Sequence, residues 1–195
     1  FDTGILTDMH FLPLDALQHD LLRSMLYLHA QPPLMNLLAG IVLKLWPHHI
    51  DGAFEVIYGI AGVAAVSLLF HALRRLGTGR WPRMAVCLFL CSFPTLFLYQ
   101  TWAYSTHLEF CLGCALLYFL AVFYTLPARR ASSLVGLFSS GCLLGLLHAQ
   151  WHIAVFAGLA ALMWIMDRQS ARRQIALVSL LCLLPLAGWY TKIPF

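Results

Sequence analysis

"YLHAQPPLMNLLAGIVLKLWPHH", Tyr27 to His49, decides how this chain is threaded. Its apolar run, residues 34–46, numbers thirteen, whereas a helix needs about 20 residues to cross about 30 Å of hydrocarbon. If this run crossed a membrane, every later connection would change sides. The charges on those connections therefore decide the reading.

Composition sets the frame. Of 195 residues 61% are hydrophobic and 10% charged, and the mean hydropathy is +0.79. A soluble domain carries about 25% charged residues, so the chain reads as a polytopic membrane protein. Its net charge of +4 then reports topology and not a nucleic-acid partner. Six segments read as spans: 53–73, 84–100, 107–126, 131–148, 152–166 and 174–190. The fifth is short and needs its ends to snorkel or the bilayer to thin. No long linker or repeat of 20 to 50 residues interrupts the pattern, which predicts one domain over 1–195, a leading region 1–52 and a bundle over 53–190. The chain opens on Phe1-Asp2 without Met and reads as a piece of a longer protein.

The connections at 74–83, 127–130 and 167–173 hold Arg74, Arg75, Arg80, Arg83, Arg129, Arg130, Arg168, Arg172 and Arg173, nine of the twelve basic residues. The alternate loops, around 101–106 and 149–151, hold none. The positive-inside rule puts the arginine loops in the cytoplasm, and residues 1–52 and the loops near Trp102 and Trp151 outside it. Run 34–46 is thus expected to lie in the outer interface. Seven of eight acids, all but Asp167, and eight of nine histidines, all but His71, fall on that outer side. The outer face is therefore expected to be the chemical one.

Pro32-Pro33 supports the same placement. A residue before proline is pushed out of the α region, and proline is welcome in a first helical turn. Lys44 and Trp46 suit headgroup level. Ahead of the prolines, "PLDALQHDLLRSMLYLHA" reads as an amphipathic helix with Leu14, Leu17, Leu21, Met25 and Leu28 on one face. The predicted fold is all-α: a membrane helix bundle of about six spans, with an extracytoplasmic N-terminal loop of two juxtamembrane amphipathic helices.

Other chemistry is thin. Six cysteines fall in apolar stretches, and Cys111 and Cys114 have C-x-x-C spacing without a second pair, so they read as small packing residues. His148 and His152 flank an outer turn and read as interfacial histidines. Nothing has the pattern of a P-loop, a nucleotide fingerprint or a Ser-His-Asp set. Glu109 falls near the start of a span, where an acid is costly unless paired or facing a wet cavity.

The corner "LHAQPPLMNLLAGIVLKLWP", preceded some thirty residues earlier by Asp2, resembles the GT-C superfamily of integral-membrane glycosyltransferases, such as protein O-mannosyltransferases and lipid A aminoarabinose transferases. "SFPTLFLYQTWAYSTHLEF", "LLHAQWHIAVFAGLAALMW" and "LPLAGWYTKIPF" resemble its outer helix ends more loosely. The resemblance covers most of the chain, and the proline corner is its distinctive part. It implies transfer of a sugar from a polyprenyl-phosphate donor to a lipid or protein acceptor among membrane lipids. Asp2 would be the catalytic base and Asp8 would orient substrate or a metal. Arg23 and Lys44 would meet the lipid phosphate. His29, Gln31, Tyr99 and Glu109 would bind substrate. The resemblance fixes no cofactor, and a divalent cation is admissible. The compartment implied is the bacterial inner membrane before the endoplasmic reticulum. Gln100 departs from the pattern, since an acid is expected after the tyrosine. A subunit that keeps the architecture without the chemistry therefore stays open, as does a transporter.

Overall fold

The computed structural model describes residues 12–27, 33–101, 105–147, 151–166 and 171–191. Asp2, Asp8, His29, Gln31, Asp167 and Arg168 lie outside them, as do His148 and the side chain of His152. All the regular elements of the described residues are helices: α1 (Leu14–His19), α2 (Leu21–Tyr27), α3 (Pro33–Leu45), α4 (Ile50–Arg75), α5 (Arg80–Cys91), α6 (Pro94–Thr101), α7 (Ser105–Thr125), a 3-10 turn (Pro127–Arg129), α8 (Arg130–Leu147), α9 (Trp151–Met166) and α10 (Arg172–Tyr190). Three are long and apolar enough to cross a membrane: α4, α7 and the run Pro127–Leu147 that contains α8. The pair α5 and α6 adds a fourth if its two halves count as one span.

Two expected helices are broken, each for a local reason. The segment predicted as one span over 84–100 bends by 54° between α5 and α6. Pro94 has no N–H to continue the ladder and pushes Phe93 out of the helical region. Ser92 closes α5, its hydroxyl donating to the Leu88 carbonyl at 2.8 Å. The amphipathic stretch before the prolines divides at Asp20, whose backbone (φ −126°, ψ 42°) leaves the helix. Aspartate competes with the backbone for hydrogen bonds and favours such ends. The predicted apolar face nonetheless survives the break, since Leu17, Leu21 and Met25 are all buried.

α3 begins at Pro33 and is the floor on which α1 and α2 lie. Met35, Ala39, Val42 and Leu43 form a core with Leu17, Leu21, Met25, Phe54, Tyr58 and Leu147, which joins this three-helix platform to α4 and α8. Gly40 lets α2 approach, because a Cβ there would run into the Leu21 side chain. Asn36, 1% exposed, accepts the Leu12 N–H through Oδ1 at 2.8 Å. This bond satisfies a buried amide that would otherwise cost about 1–3 kcal/mol.

Packing pairs fix the helix directions. Tyr58 meets His107 and Arg75 shares a cavity with Tyr118, so α4 and α7 run parallel. Arg130 stacks over Phe123, so α8 returns antiparallel. The described arginines of the three connections, Arg74, Arg75, Arg80, Arg83, Arg129, Arg130, Arg172 and Arg173, thereby gather at one end. The platform sits at the other, where α4 and α7 begin and α8 and α10 finish.

α8 is the centre of the bundle. In its spanning window 56% of residues are buried, against 22% for α4 and 28% for α7. Its small residues explain this. Gly136 lies under the Phe119 ring, Gly141 under Phe156 and Gly145 under Leu186, with a would-be Cβ at 2.5 to 2.6 Å from each. Small residues that admit a neighbour's side chain are the usual means of close helix packing in lipid. Gly136→Val is expected to lower stability by about 1–3 kcal/mol through overpacking against the Phe119 ring. Thermal unfolding of the purified protein in detergent checks this, with Gly113→Val, a glycine with nothing within 4 Å of its would-be Cβ, as the tolerated control.

The outward surface is strongly apolar. Val56, Ile60 and Val63 of α4 are exposed, as are Leu177, Leu180, Leu181 and Leu184 of α10. Stripes of this size are not left in water by a soluble monomer.

Candidate functional site

The break at Pro94 has a structural product. α6, tilted by 54° from α5, borders with α4 and α7 an open cavity of about 330 Å³. Gly62, Val63, Val66 and Ser67 of α4 form one wall, Cys91 of α5 and Leu96 and Gln100 of α6 another, and His107 of α7 closes it. Its volume is at the low end of the about 300–1,000 Å³ typical of small-molecule sites. Mixed apolar walls and a few convergent polar groups are also typical of such sites.

His107 is the polar centre. It is 1% exposed and lies flat against Tyr58, with ring centroids 5.6 Å apart and planes 16° from parallel. Its Nε2 stands 3.1 Å from the Tyr58 carbonyl oxygen. A carbonyl only accepts, so Nε2 carries the proton and donates. In the neutral ring Nδ1 is then a bare acceptor. Nδ1 is buried and has no hydrogen-bond partner among the described residues. Gly62 makes room for this arrangement: a Cβ there would come within 3.3 Å of His107 Nε2 and 3.4 Å of Gln100 Nε2.

Tyr58 extends the polar group away from the cavity. It is fully buried, meets the Phe54 ring edge-on, and its hydroxyl points at Met35 Sδ at 4.0 Å. Glu109 is half-buried two residues beyond His107 on the same helix. Platform and cavity thus meet through one aromatic residue.

The residues expected from the sequence divide accordingly. Glu109 is half-buried on α7 two residues after His107, and half-buried Tyr99 precedes the cavity residue Gln100 on α6. Arg23 and Lys44 are exposed on α2 and α3 and do not line the cavity. Gln100, conspicuous in the sequence as the absence of an acid, is a wall of the cavity. His107, Tyr58, Asn36 and Gly62 carry most of the observed geometry and were not singled out by sequence reasoning. The available signal was a histidine on the otherwise apolar face of the helix that carries Glu109.

Among the described residues no three His, Cys, Asp or Glu side chains come together to hold a metal ion. The described groups thus do not fit a divalent cation, and no chemistry is derived through one. The class defined by fold and cavity is an all-helical protein with three helices of membrane length, consistent with an integral membrane protein. The chain matches no known family model, no curated protein and no solved structure.

His107→Leu is expected to change stability by no more than about 1 kcal/mol. The Tyr58 carbonyl also belongs to a helix ladder, and an apolar replacement removes the buried bare acceptor along with the donor. Thermal unfolding in detergent measures this. A loss of several kcal/mol would make His107 a structural clamp and not a group held for a ligand.

Proposed function

We propose that this chain belongs to a membrane-embedded glycosyltransferase that moves a sugar from a polyprenyl-phosphate donor to a lipid or protein acceptor. The observation that carries this reading is the joining of platform and cavity. A proline-corner helix platform sits on the end of the bundle opposite the arginines, beside a cavity with apolar walls and the polar side chains of Gln100 and His107. A lipid-borne sugar needs both kinds of surface side by side. The corner "LHAQPPLMNLLAGIVLKLWP" and its resemblance to the GT-C superfamily supply the reaction class.

In this reading residues 1–52 are extracytoplasmic, α9 and α10 also cross to make about six spans, and the compartment is the bacterial inner membrane. Asp2 takes the proton of the acceptor hydroxyl as its oxygen attacks the anomeric carbon. The bond from that carbon to the phosphate oxygen breaks, and polyprenyl phosphate leaves with the electron pair, inverting the anomeric centre. Asp8 orients the substrate. Arg23 and Lys44 meet the phosphate at the platform surface, and His29, Gln31, Tyr99 and Glu109 contact the sugar or acceptor.

The test uses membranes containing the full-length protein and radiolabelled polyprenyl-phosphate sugars. Transfer of label above protein-free membranes is expected for at least one donor. No transfer from any donor, with the protein shown to be inserted, overturns the reading in favour of a transporter or a silent subunit.

A further inference from the structure

A second cavity, of about 300 Å³, lies at the arginine end, distinct from the one beside the platform. Its lining is His71, Arg74 and Arg75 of α4 and Tyr118 of α7. His71, Arg74 and Arg75 fall at i, i+3 and i+4, which puts them on one face of the helix. Tyr118 faces them from the parallel neighbour. Two guanidiniums, an imidazole and a phenol thus converge on one space, and no acid of the described residues lines it. The five described acids, Asp15, Asp20, Asp51, Glu55 and Glu109, sit on the platform or within the first two turns of α4 and α7.

The ordinary occupation for arginines here is to cap the carbonyls that end a helix. At the end of α4 that work is already done by backbone amides. Leu76 N–H donates to the Ala72 carbonyl, Gly77 N–H to Arg74 and Thr78 N–H to Leu73, at 3.0, 3.2 and 3.1 Å. Gly77, at φ +81°, permits this closure. None of His71, Arg74, Arg75 and Tyr118 makes a side-chain hydrogen bond or ion pair with the described residues. The negative end of the α4 dipole, equivalent to about half a charge, offsets only part of the two guanidiniums. The His71 ring is held edge-on against Phe70, with centroids 5.8 Å apart.

The geometry points to a phosphate-binding site formed by His71, Arg74, Arg75 and Tyr118 at the arginine end of the bundle. Guanidinium forks match phosphate oxygens two at a time, and a phenol adds one donor. The phosphate comes from an anionic lipid headgroup of the adjoining leaflet or from a soluble phosphate. The site does not depend on the transfer reaction proposed above.

Full-length protein in phosphatidylcholine nanodiscs, with and without phosphatidylglycerol, is analysed for retained lipid by native mass spectrometry. Parallel phosphatidylcholine samples are titrated with inorganic phosphate and followed by thermal unfolding. Arg74→Gln with Arg75→Gln removes the forks, and Tyr118→Phe removes one hydroxyl without disturbing packing. Arg129→Gln with Arg173→Gln removes two exposed arginines of the same end outside the cavity. Losing two charge-assisted hydrogen bonds is expected to cut phosphatidylglycerol retention at least about tenfold in the first variant. Tyr118→Phe is expected to lie between it and wild type, with the Arg129/Arg173 pair unchanged. That pattern assigns a lipid headgroup. The same ranking in the phosphate titration alone assigns a soluble phosphate. Equal losses in both arginine pairs, or no loss in either, overturn the site and leave a diffuse basic surface.

Discussion

Phe138→Ala is expected to destabilise the folded protein by about 3 kcal/mol, the low end of the range for Phe→Ala in a core. Phe138 is fully buried on α8 among Leu134, Leu137, Phe156 and Met163. Its ring centroid lies 5.2 Å from that of Phe156. The low end applies because the surrounding solvent is hydrocarbon. A phenylalanine leaving this core enters lipid tails and not water, so the transfer contribution largely vanishes and the lost packing contacts remain. The site cannot collapse to recover them, since Phe156 is already pressed against Gly141 and Leu134 and Leu137 are fully enclosed. Thermal or denaturant unfolding in detergent checks the value. Leu180→Ala, an exposed residue of α10, is the control expected to stay within about 0.5 kcal/mol. Equal effects at the two positions would contradict the assignment of α8 as the central helix.

Asp2→Asn in the full-length protein is expected to lower sugar transfer by about 10²–10⁴-fold, the usual contribution of a general base. The amide keeps the size and much of the polarity of the carboxylate and cannot take the proton. Stability and membrane insertion should be unchanged, which separates this loss from unfolding. Asp8→Asn, assigned to orientation, is expected to cost less and to act more on the apparent KM for donor than on kcat. Transfer measured with equal amounts of each protein decides. Full activity in both variants would remove the base from these residues while leaving the transferase class untouched.

What could be read from the sequence follows from how local each determinant is. Hydropathy over a span and arginine placement are sums over many residues, and they located α4, α7, α8, α9 and α10 to within three residues at either end. The helix after the prolines was equally plain, because Pro33 and the length of the run are both local facts. The breaks were harder. Pro94 was visible, yet its position near an expected outer end concealed that it would tilt α6 by 54° and open a cavity. Asp20 depends on a competition between side chain and backbone that periodicity does not register.

The candidate site was less legible still. Glu109 drew attention because acids are costly near lipid, and it lies half-buried two residues beyond His107 on α7. His107 and Tyr58 lie 49 residues apart, and only the parallel packing of α4 and α7 brings their rings together. Gly62 has no side chain to advertise its part. The proposed phosphate site has the same origin: Arg74 and Arg75 read as topology signals, and their cavity exists only once Tyr118 arrives from another helix.

The three glycines of α8 also carry a temporal order. Gly136 receives Phe119 from α7, the helix made just before α8. Gly141 receives Phe156 from α9, made just after, and Gly145 receives Leu186 from α10, made last. Read along α8, its partners appear in the sequence in which a ribosome releases them. The order of these contacts along α8 thus matches the order of synthesis, so that each later helix packs against a glycine next to one that an earlier helix already covers.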